Sequence, residues 1–486
     1  MGGKSQQAQG HERAEAGESR ETCPHPCFGN EAVDEEFHGE KCTTWAHGGA
    51  SGLPQPGRAP ILAAIRNRDR DGGMTKRGFD KYEERYAERT GVMRSSAMRD
   101  LMSLTARPEV ISLAGGLPAT DSFPQDLFDR INAEISKEKR ALSLQYGPTE
   151  GFDFLKEDIA EVMAAEGTEI DPAHVLVTTG GQQAIDLVTK TFVNPGDVVL
   201  AEGPSYAGAL TTFSTYQTEV IHLPVDEHGL LLDEMDVILD RLEAEGRWPK
   251  FIYVVPNFSN PGGMTLPLDR RERLVETARE RDLLIVEDNP YGLLRFEEKP
   301  LPTMYSLDTE ENVVYLGSFS KIISPGIRSG WLVAPPPIYQ KVVFGKQATD
   351  LCSSSYNQLF VHGFISSGEW REYVDRLRDI YRSRRDAMLE VLEQEFPAGS
   401  TWTKPVGGFF VWATLPGGLD TGDLLVKAVE ENVAFVRGDA FYADGQGTSS
   451  MRLSFSAVPE EKIQEGIRRL GRVAQDQLDL YRAMGL

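Results

Sequence analysis

Through the middle of the chain, short apolar runs alternate with longer stretches whose apolar positions recur every third or fourth residue. The first pattern predicts buried strands and the second amphipathic helices. Strands are expected at Val175–Thr179, Val198–Ala201, Glu219–Leu223, Phe251–Val255, Leu283–Glu287 and Val313–Leu316. Helices are expected at Gln182–Phe192, Tyr206–Thr215, Glu234–Glu245 and Asp269–Arg281. Strands separated by helices in this way imply an α/β fold whose mostly parallel sheet is covered on both faces. Before this region, the pattern predicts an amphipathic helix over Phe79–Ala106, a short strand within Pro108–Pro118 that runs into a Gly-Gly-x-Pro turn, and a helix over Phe152–Glu166. After the Pro335-Pro336-Pro337 run the texture changes. A long helix at Trp370–Phe396 is followed by strands at Gly407–Trp412, Val433–Val436 and Met451–Ser456, then by a closing helix at Glu460–Leu478. This predicts a smaller α+β domain. The expected organisation is a disordered extension over 1–73, a helical arm or small-domain segment over 74–115, a large domain over 116–335 and a small C-terminal domain over 336–486.

Composition narrows the function. The 486 residues carry 51 Lys plus Arg against 74 Asp plus Glu, a formal charge of −23. Such a chain is repelled by nucleic-acid phosphate, so no nucleic-acid partner is expected. No apolar run reaches the roughly 18 residues of a membrane-spanning helix, so no membrane is expected either. Four Cys cannot staple a chain of this size, which predicts a reducing, cytoplasmic compartment. Arg outnumbers Lys about two to one, a balance compatible with a high-salt cytoplasm. Cys23-Pro-His-Pro-Cys27 in the extension has spacing compatible with part of a zinc site, but an unstructured tail in which Cys and His fall together by chance is the stronger reading, and no metal is expected in the functional site.

In open α/β sheets ligands bind beyond the carboxyl ends of the strands, and four such places carry suggestive residues. Thr178-Thr-Gly-Gly-Gln-Gln183 opens a helix, where free N–H groups and the positive dipole end suit a phosphate. Turn formation alone would also explain the glycines. Pro256-Asn-Phe-Ser-Asn-Pro-Gly-Gly263 is good turn chemistry. In Glu287-Asp-Asn-Pro-Tyr-Gly292, Asp288 falls where an apolar strand meets a turn, so its carboxylate needs a partner. Gly317-Ser-Phe-Ser-Lys321 puts a lysine just after a strand. Burial lowers a lysine's pKa, and the neutral amine can condense with a carbonyl. Arg328 can bind a phosphate in fork geometry. A lysine to condense, an aspartate for a ring nitrogen, and Gly, Ser and Arg around a phosphate are together what pyridoxal 5′-phosphate requires.

With these motifs in order, the sequence resembles the pyridoxal-phosphate-dependent aminotransferases of fold type I, class I/II. It most resembles the branch containing 2-aminoadipate and broad-specificity aromatic and branched-chain enzymes. The resemblance rests on L-Q-Y-G-P-T-E-G (144–151), S-N-P-G-G (259–263), D-N-P-Y-G (288–292), S-F-S-K (318–321) and M-R-L-S-F-S (451–456), and runs from about Phe79 to the C-terminus. It implies that Lys321 carries the cofactor and later moves the Cα proton, that Asp288 binds the pyridine nitrogen, and that Tyr291 and Asn260 bind the ring oxygen. Tyr206 is placed like the aromatic that stacks on the ring. Gly181, Gln182, Ser318, Ser320 and Arg328 match the phosphate cup, and Tyr146 matches a tyrosine that reaches the phosphate of a neighbouring subunit, which implies a homodimer. Arg452 matches the group that binds the substrate α-carboxylate. Gly115 and Gly116 resemble glycines bounding the substrate pocket, and Arg99 is placed like an arginine that meets a distal carboxylate.

The sequence departs from the family pattern twice. The phosphate loop has Gly181 where many relatives have Ser or Ala, and the turn reads Asn-Pro-Gly-Gly rather than Asn-Pro-Thr-Gly. The implied activity is ping-pong transfer of an amino group from 2-aminoadipate, an aromatic or branched-chain amino acid or glutamate to a 2-oxo acid such as 2-oxoglutarate. Two alternatives use the same residues: a lyase or decarboxylase on this fold, and an effector-sensing module of a transcription regulator. Residues 1–73 show no helix-turn-helix pattern, and no dinucleotide fingerprint follows a strand.

Overall fold

This computed structural model describes residues 80–93 and 107–484. The expected disordered stretch 1–73, with its Cys and His, lies outside the described residues, as does Arg99. Over 80–93 the expected continuous helix is replaced by two 3₁₀ turns, Glu83–Arg85 and Glu88–Gly91, with extended backbone at Tyr86 and Ala87 between them. Every residue of 80–93 is exposed. A short helix draws most of its stability from burying a face, and this segment buries none.

The strands, in chain order, begin with β1 (Ile111–Ser112), β2 (Val175–Thr178), β3 (Val198–Gly203), β4 (Glu219–Asp226) and β5 (Gly229–Leu230). They continue with β6 (Ile252–Val254), β7 (Ile285–Asp288), β8 (Val313–Ser318) and β9 (Gly330–Val333). An eight-stranded sheet has the order β2-β9-β8-β7-β6-β3-β4-β5. The pairs from β8 through β7, β6 and β3 to β4 are parallel. β9 is antiparallel to both β8 and β2, so β2 runs in the same direction as the parallel strands. The carboxyl ends of β2, β8, β7, β6 and β3 therefore share one edge.

The alternation of side chains along each strand sorts the core into two layers. Leu176, Val199, Tyr253, Val286, Leu316 and Leu332 face one side, against Leu187 of the helix Gly181–Phe192, Phe213 of Ala207–Thr215 and Val342 of Pro336–Asp350. Val198, Leu200, Ile252, Val254, Ile285 and Val313 face the other, against Leu239 of Leu232–Ala244 and Leu274 of Leu268–Arg281.

The second, antiparallel sheet follows. β10 (Thr401–Trp402), β11 (Phe410–Thr414), β13 (Val436–Arg437) and β14 (Ser450–Ser454) lie in the order β10-β11-β14-β13, while β12 (Val433–Ala434) pairs in parallel with β1. The helix Trp370–Glu395 buries Tyr373, Val374, Leu377, Tyr381, Met388 and Leu392 at three- and four-residue spacing and packs on the closing helix Glu460–Ala483. Among the described residues no helix is long and apolar enough to cross a membrane.

Candidate active site

The shared carboxyl edge opens into a cleft of about 1330 Å³ between the large sheet and β11–β14. Gly116, Gly181, Gln182, Tyr206, Asn260, Asp288, Tyr291, Ser318, Ser320, Lys321, Arg328 and Arg452 all line it. Of the remaining residues predicted from sequence and described, Gly115 and Tyr146 lie outside the lining, and the Tyr146 side chain is 76% exposed.

Lys321 stands three residues after the end of β8, and its Nζ donates to the carbonyl of Gly116 at 3.0 Å. The residue is half-buried, but its amine reaches the enclosed floor, 5.5 Å from the Phe409 ring centre and 5.8 Å from that of Tyr291. Burial, followed by the charges of Arg452 and Arg328, brings its pKa down to about 8, against the opposing pull of Asp288. The sign is that of a base that is easier to deprotonate: the amine is neutral above about pH 8 rather than above about 10.4. The apo protein should therefore take up pyridoxal phosphate at a rate that climbs through about pH 8 and then levels. Stopped-flow absorbance can read this, and a rate still climbing steeply past about pH 9.5, as for an ordinary lysine, would count against a depressed amine.

Asp288 ends β7, 6% exposed. Burial pushes its carboxyl up to about 6, opposed by a hydrogen bond from the Tyr253 hydroxyl and by the charge of Lys321. One carboxylate oxygen thus has a neutral donor, and the group still faces the cleft. Tyr291 is buried, and burial raises its phenol well above the usual value, opposed by the charge of Arg452 and by a hydrogen bond from the Asn260 amide. Asn260 Oδ1 accepts from Arg452 Nη1 at 2.7 Å.

Arg452 sits mid-strand in β14, paired to Trp412 of β11 and Val436 of β13. It is 2% exposed. Its Nη2 donates to the carbonyl of Ala114 at 2.6 Å, and its guanidinium lies 4.2 Å from the Phe410 ring centre and 5.0 Å from that of Phe441. Burial brings its pKa down to about 10, against the pull of Tyr291 and Tyr206, which leaves it cationic at neutral pH. Aromatic faces hold the cation without supplying a counter-charge, so it can receive a carboxylate. Gly116 lets the chain pass close by: a Cβ there would come within 2.6 Å of the Phe410 ring.

At the other end of the cleft the helix Gly181–Phe192 begins after Gly180, whose φ is +79°. The Arg328 guanidinium lies against Gly180, where a Cβ would sit 2.5 Å from Nη2. Arg328 itself holds left-handed backbone, φ +50°, and donates through Nη2 to the carbonyl of Thr179 at 3.3 Å. A non-glycine residue in that region is uncommon and marks sites where the surroundings over-determine the backbone. Ser318 Oγ donates to Ser320 Oγ at 2.8 Å, and Tyr206 donates to Gln182 Oε1 at 3.2 Å. A Cβ at Gly181 would make only ordinary contact, 3.8 Å from the Ser318 Cβ. The loop therefore has room for the larger residue common in relatives. Helix-start N–H groups, two hydroxyls and a guanidinium together form an anion site.

Sequence reading missed Tyr253, whose hydroxyl engages Asp288 from the neighbouring parallel strand. It also missed Phe410 and Phe441, the aromatic faces under Arg452.

The family model for "Aminotransferase class I and II" matches residues 108–470. The chain is similar to the aromatic-amino-acid aminotransferase 1 of Thermococcus litoralis, 42% identical over 82% of this chain and 95% of that protein. It resembles the crystal structure of Pyrococcus horikoshii kynurenine aminotransferase in complex with PMP: TM-score 0.79, 40% identity, 82% of this chain and 98% of that one. It also resembles the alpha-aminoadipate aminotransferase of Thermus thermophilus complexed with N-(5′-phosphopyridoxyl)-L-leucine: TM-score 0.77, 40% identity, 82% of this chain and 100% of that one.

Proposed function

Since the chain belongs to the class I and II aminotransferases, we propose that the cleft at the carboxyl edge is where it transfers amino groups, with its residues in the following roles. The enzyme is a fold type I transaminase that uses pyridoxal 5′-phosphate. The residues present fit that group: an amine of depressed pKa, a buried carboxylate, and an anion site whose glycine leaves space for a guanidinium. When bound, the cofactor supplies a sink for the electrons left behind as the substrate Cα proton departs.

Lys321 is the point of attachment. Once released, its neutral amine takes the Cα proton and returns it. Asp288 keeps the ring nitrogen protonated, and Tyr253 orients the carboxylate for it. Tyr291 and Asn260 hold the ring oxygen, and Tyr206 covers the ring. Gly181, Gln182, Ser318, Ser320 and Arg328 take the phosphate. Arg452 binds the substrate α-carboxylate and so fixes the Cα near the Lys321 amine, with Gly116 bounding the pocket. The observation that carries this reading is the convergence of Lys321, Asp288 and Arg452 on one cleft.

Arg452→Ala should raise KM for the amino acid by about 10²-fold, the cost of a desolvated charge partner, with a smaller change in kcat. An unchanged KM in steady-state kinetics would remove the carboxylate role.

For donors we infer 2-aminoadipate, aromatic or branched-chain amino acids and glutamate, with 2-oxoglutarate as acceptor. Support comes from the activities named for the relatives above and from a roomy cleft bordered by Leu117, Phe410 and Tyr442. A donor panel with 2-oxoglutarate tests this, and product formation without any acceptor would point to a lyase. The enzyme works as a homodimer in the cytoplasm. The exposed Tyr146 and the neighbouring Leu144, also 76% exposed, support the dimer, and a monomer in sedimentation velocity would remove it. The free Cys352 thiol suits a reducing compartment; recovery of the enzyme outside the cytoplasmic fraction would refute that location.

A further inference from the structure

Beside the anion site, but outside the cleft lining, lies a charge pair with no counterpart in the roles above. The helix Pro336–Asp350 ends on Asp350, and Lys346, one turn earlier, is 0% exposed. Lysine is almost never fully buried without a partner. Lys346 Nζ donates to Asp350 Oδ1 at 2.7 Å and Oδ2 at 3.0 Å. Asp350 Oδ2 also accepts from Thr179 Oγ1 at 3.0 Å and from Gln183 Nε2 at 2.7 Å. Gln183 Oε1 in turn accepts the backbone N–H of Thr179 at 2.7 Å. The carbonyl of Thr179 is the acceptor for Arg328. Every polar group of Thr179 is therefore committed: its hydroxyl to Asp350, its N–H to Gln183 and its carbonyl to Arg328.

Charge makes the arrangement informative. A bare carboxylate so close to an anion site would weaken it, and a bare buried ammonium would be costly. Pairing them yields a neutral, strongly hydrogen-bonded anchor that adds no repulsion. Burial alone would raise the Asp350 carboxyl, yet hydrogen bonds from Lys346, Gln183 and Thr179 hold it below its ordinary value.

We propose that the Lys346–Asp350 pair is a positioning device for phosphate recognition, holding the Thr179–Gly181 loop in the shape that presents the helix start and Arg328 to the cofactor's phosphate. The inference rests on the reading that Gly181 and Arg328 take that phosphate. A pair that merely staples the helix to the fold would affect every ligand of the cleft alike. A pair that shapes the phosphate site affects phosphorylated ligands selectively.

The test uses apo enzyme and equilibrium dialysis with pyridoxal 5′-phosphate and with pyridoxal, which lacks the phosphate. Lys346→Met and Thr179→Val should each raise Kd for pyridoxal phosphate about tenfold, the scale of one charge-assisted hydrogen bond. Kd for pyridoxal should change by less than about twofold. Arg328→Ala is the reference and should lose the same selectivity. If Arg328→Ala leaves the ratio of the two Kd values at the wild-type figure, the phosphate reading itself fails. If Arg328→Ala loses selectivity while the other two variants keep it, the positioning role is overturned and the phosphate reading stands. Parallel weakening of both ligands also overturns it. Should Lys346→Met fail to fold by circular dichroism, Thr179→Val decides, since it removes one hydroxyl at nearly constant volume and leaves the ion pair in place.

Discussion

Lys321→Ala should lower turnover at least about 10⁴-fold in enzyme saturated with pyridoxal phosphate, because one substitution removes both the attachment point and the proton-moving base. The amine can serve as a base at neutral pH only because burial and two arginines have brought it down to about 8. No second lysine lines the cleft among the described residues. Borohydride treatment of the wild-type holoenzyme should leave cofactor mass on the peptide containing Lys321 and none on that of the variant. Activity of the purified variant within about a hundredfold of wild type would mean that another group does this work.

Asp288→Asn should produce the next largest loss, about 10²–10³-fold in kcat, the range for removing a preorganised electrostatic partner from a dry site. The substitution preserves size and can still accept from Tyr253, so packing is spared and the charge alone is tested. The pH profile adds a second readout. With its carboxyl near 6 in the protein without cofactor, Asp288 is charged above that value and neutral below it. Binding of pyridoxal phosphate by the apo enzyme should weaken as pH falls through about 6, and Asp288→Asn should flatten that limb. If the variant keeps the limb, the titrating group lies elsewhere.

Much of this site was legible because strands that end abruptly on polar residues announce a ligand edge. One residue separates Asp288 from the apolar run 283–286 and four separate Lys321 from the run 313–316, and the edge they share is the one where β6, β7 and β8 terminate. Arg452 was reachable only through family resemblance. It lies mid-strand in the small sheet, where local pattern predicts an apolar side chain, and its role depends on Phe410, Phe441 and the Ala114 carbonyl, all brought in by tertiary pairing. Tyr253 reads locally as one more apolar position of a buried strand, and its partnership with Asp288 exists only once β6 and β7 lie side by side. β9 escaped notice because it is short and lies beyond the 319–329 segment, whose Lys321 and Pro325-Gly-Ile-Arg328 run drew attention to chemistry rather than chain reversal. The pair Lys346–Asp350 has the i,i+4 spacing of an ordinary helix-surface contact, and only the burial of Lys346 sets it apart. The arm over 80–93 failed in the opposite direction: its apolar spacing is helical, but every residue of it is exposed.

The pairing of β1 with β12 has a mechanical corollary. β1 leads straight into Ala114 and Gly116, so the carbonyl that holds Arg452 and the carbonyl that holds the Lys321 amine hang from one stub of backbone, paired with β12 and tied through the Leu113 carbonyl to the backbone N–H of Ser454 in β14, the strand that carries Arg452 itself. The grip on the incoming acid and the leash on the amine are thus geared together: a nudge that reseats the guanidinium tugs at the tether on the amine two residues downstream.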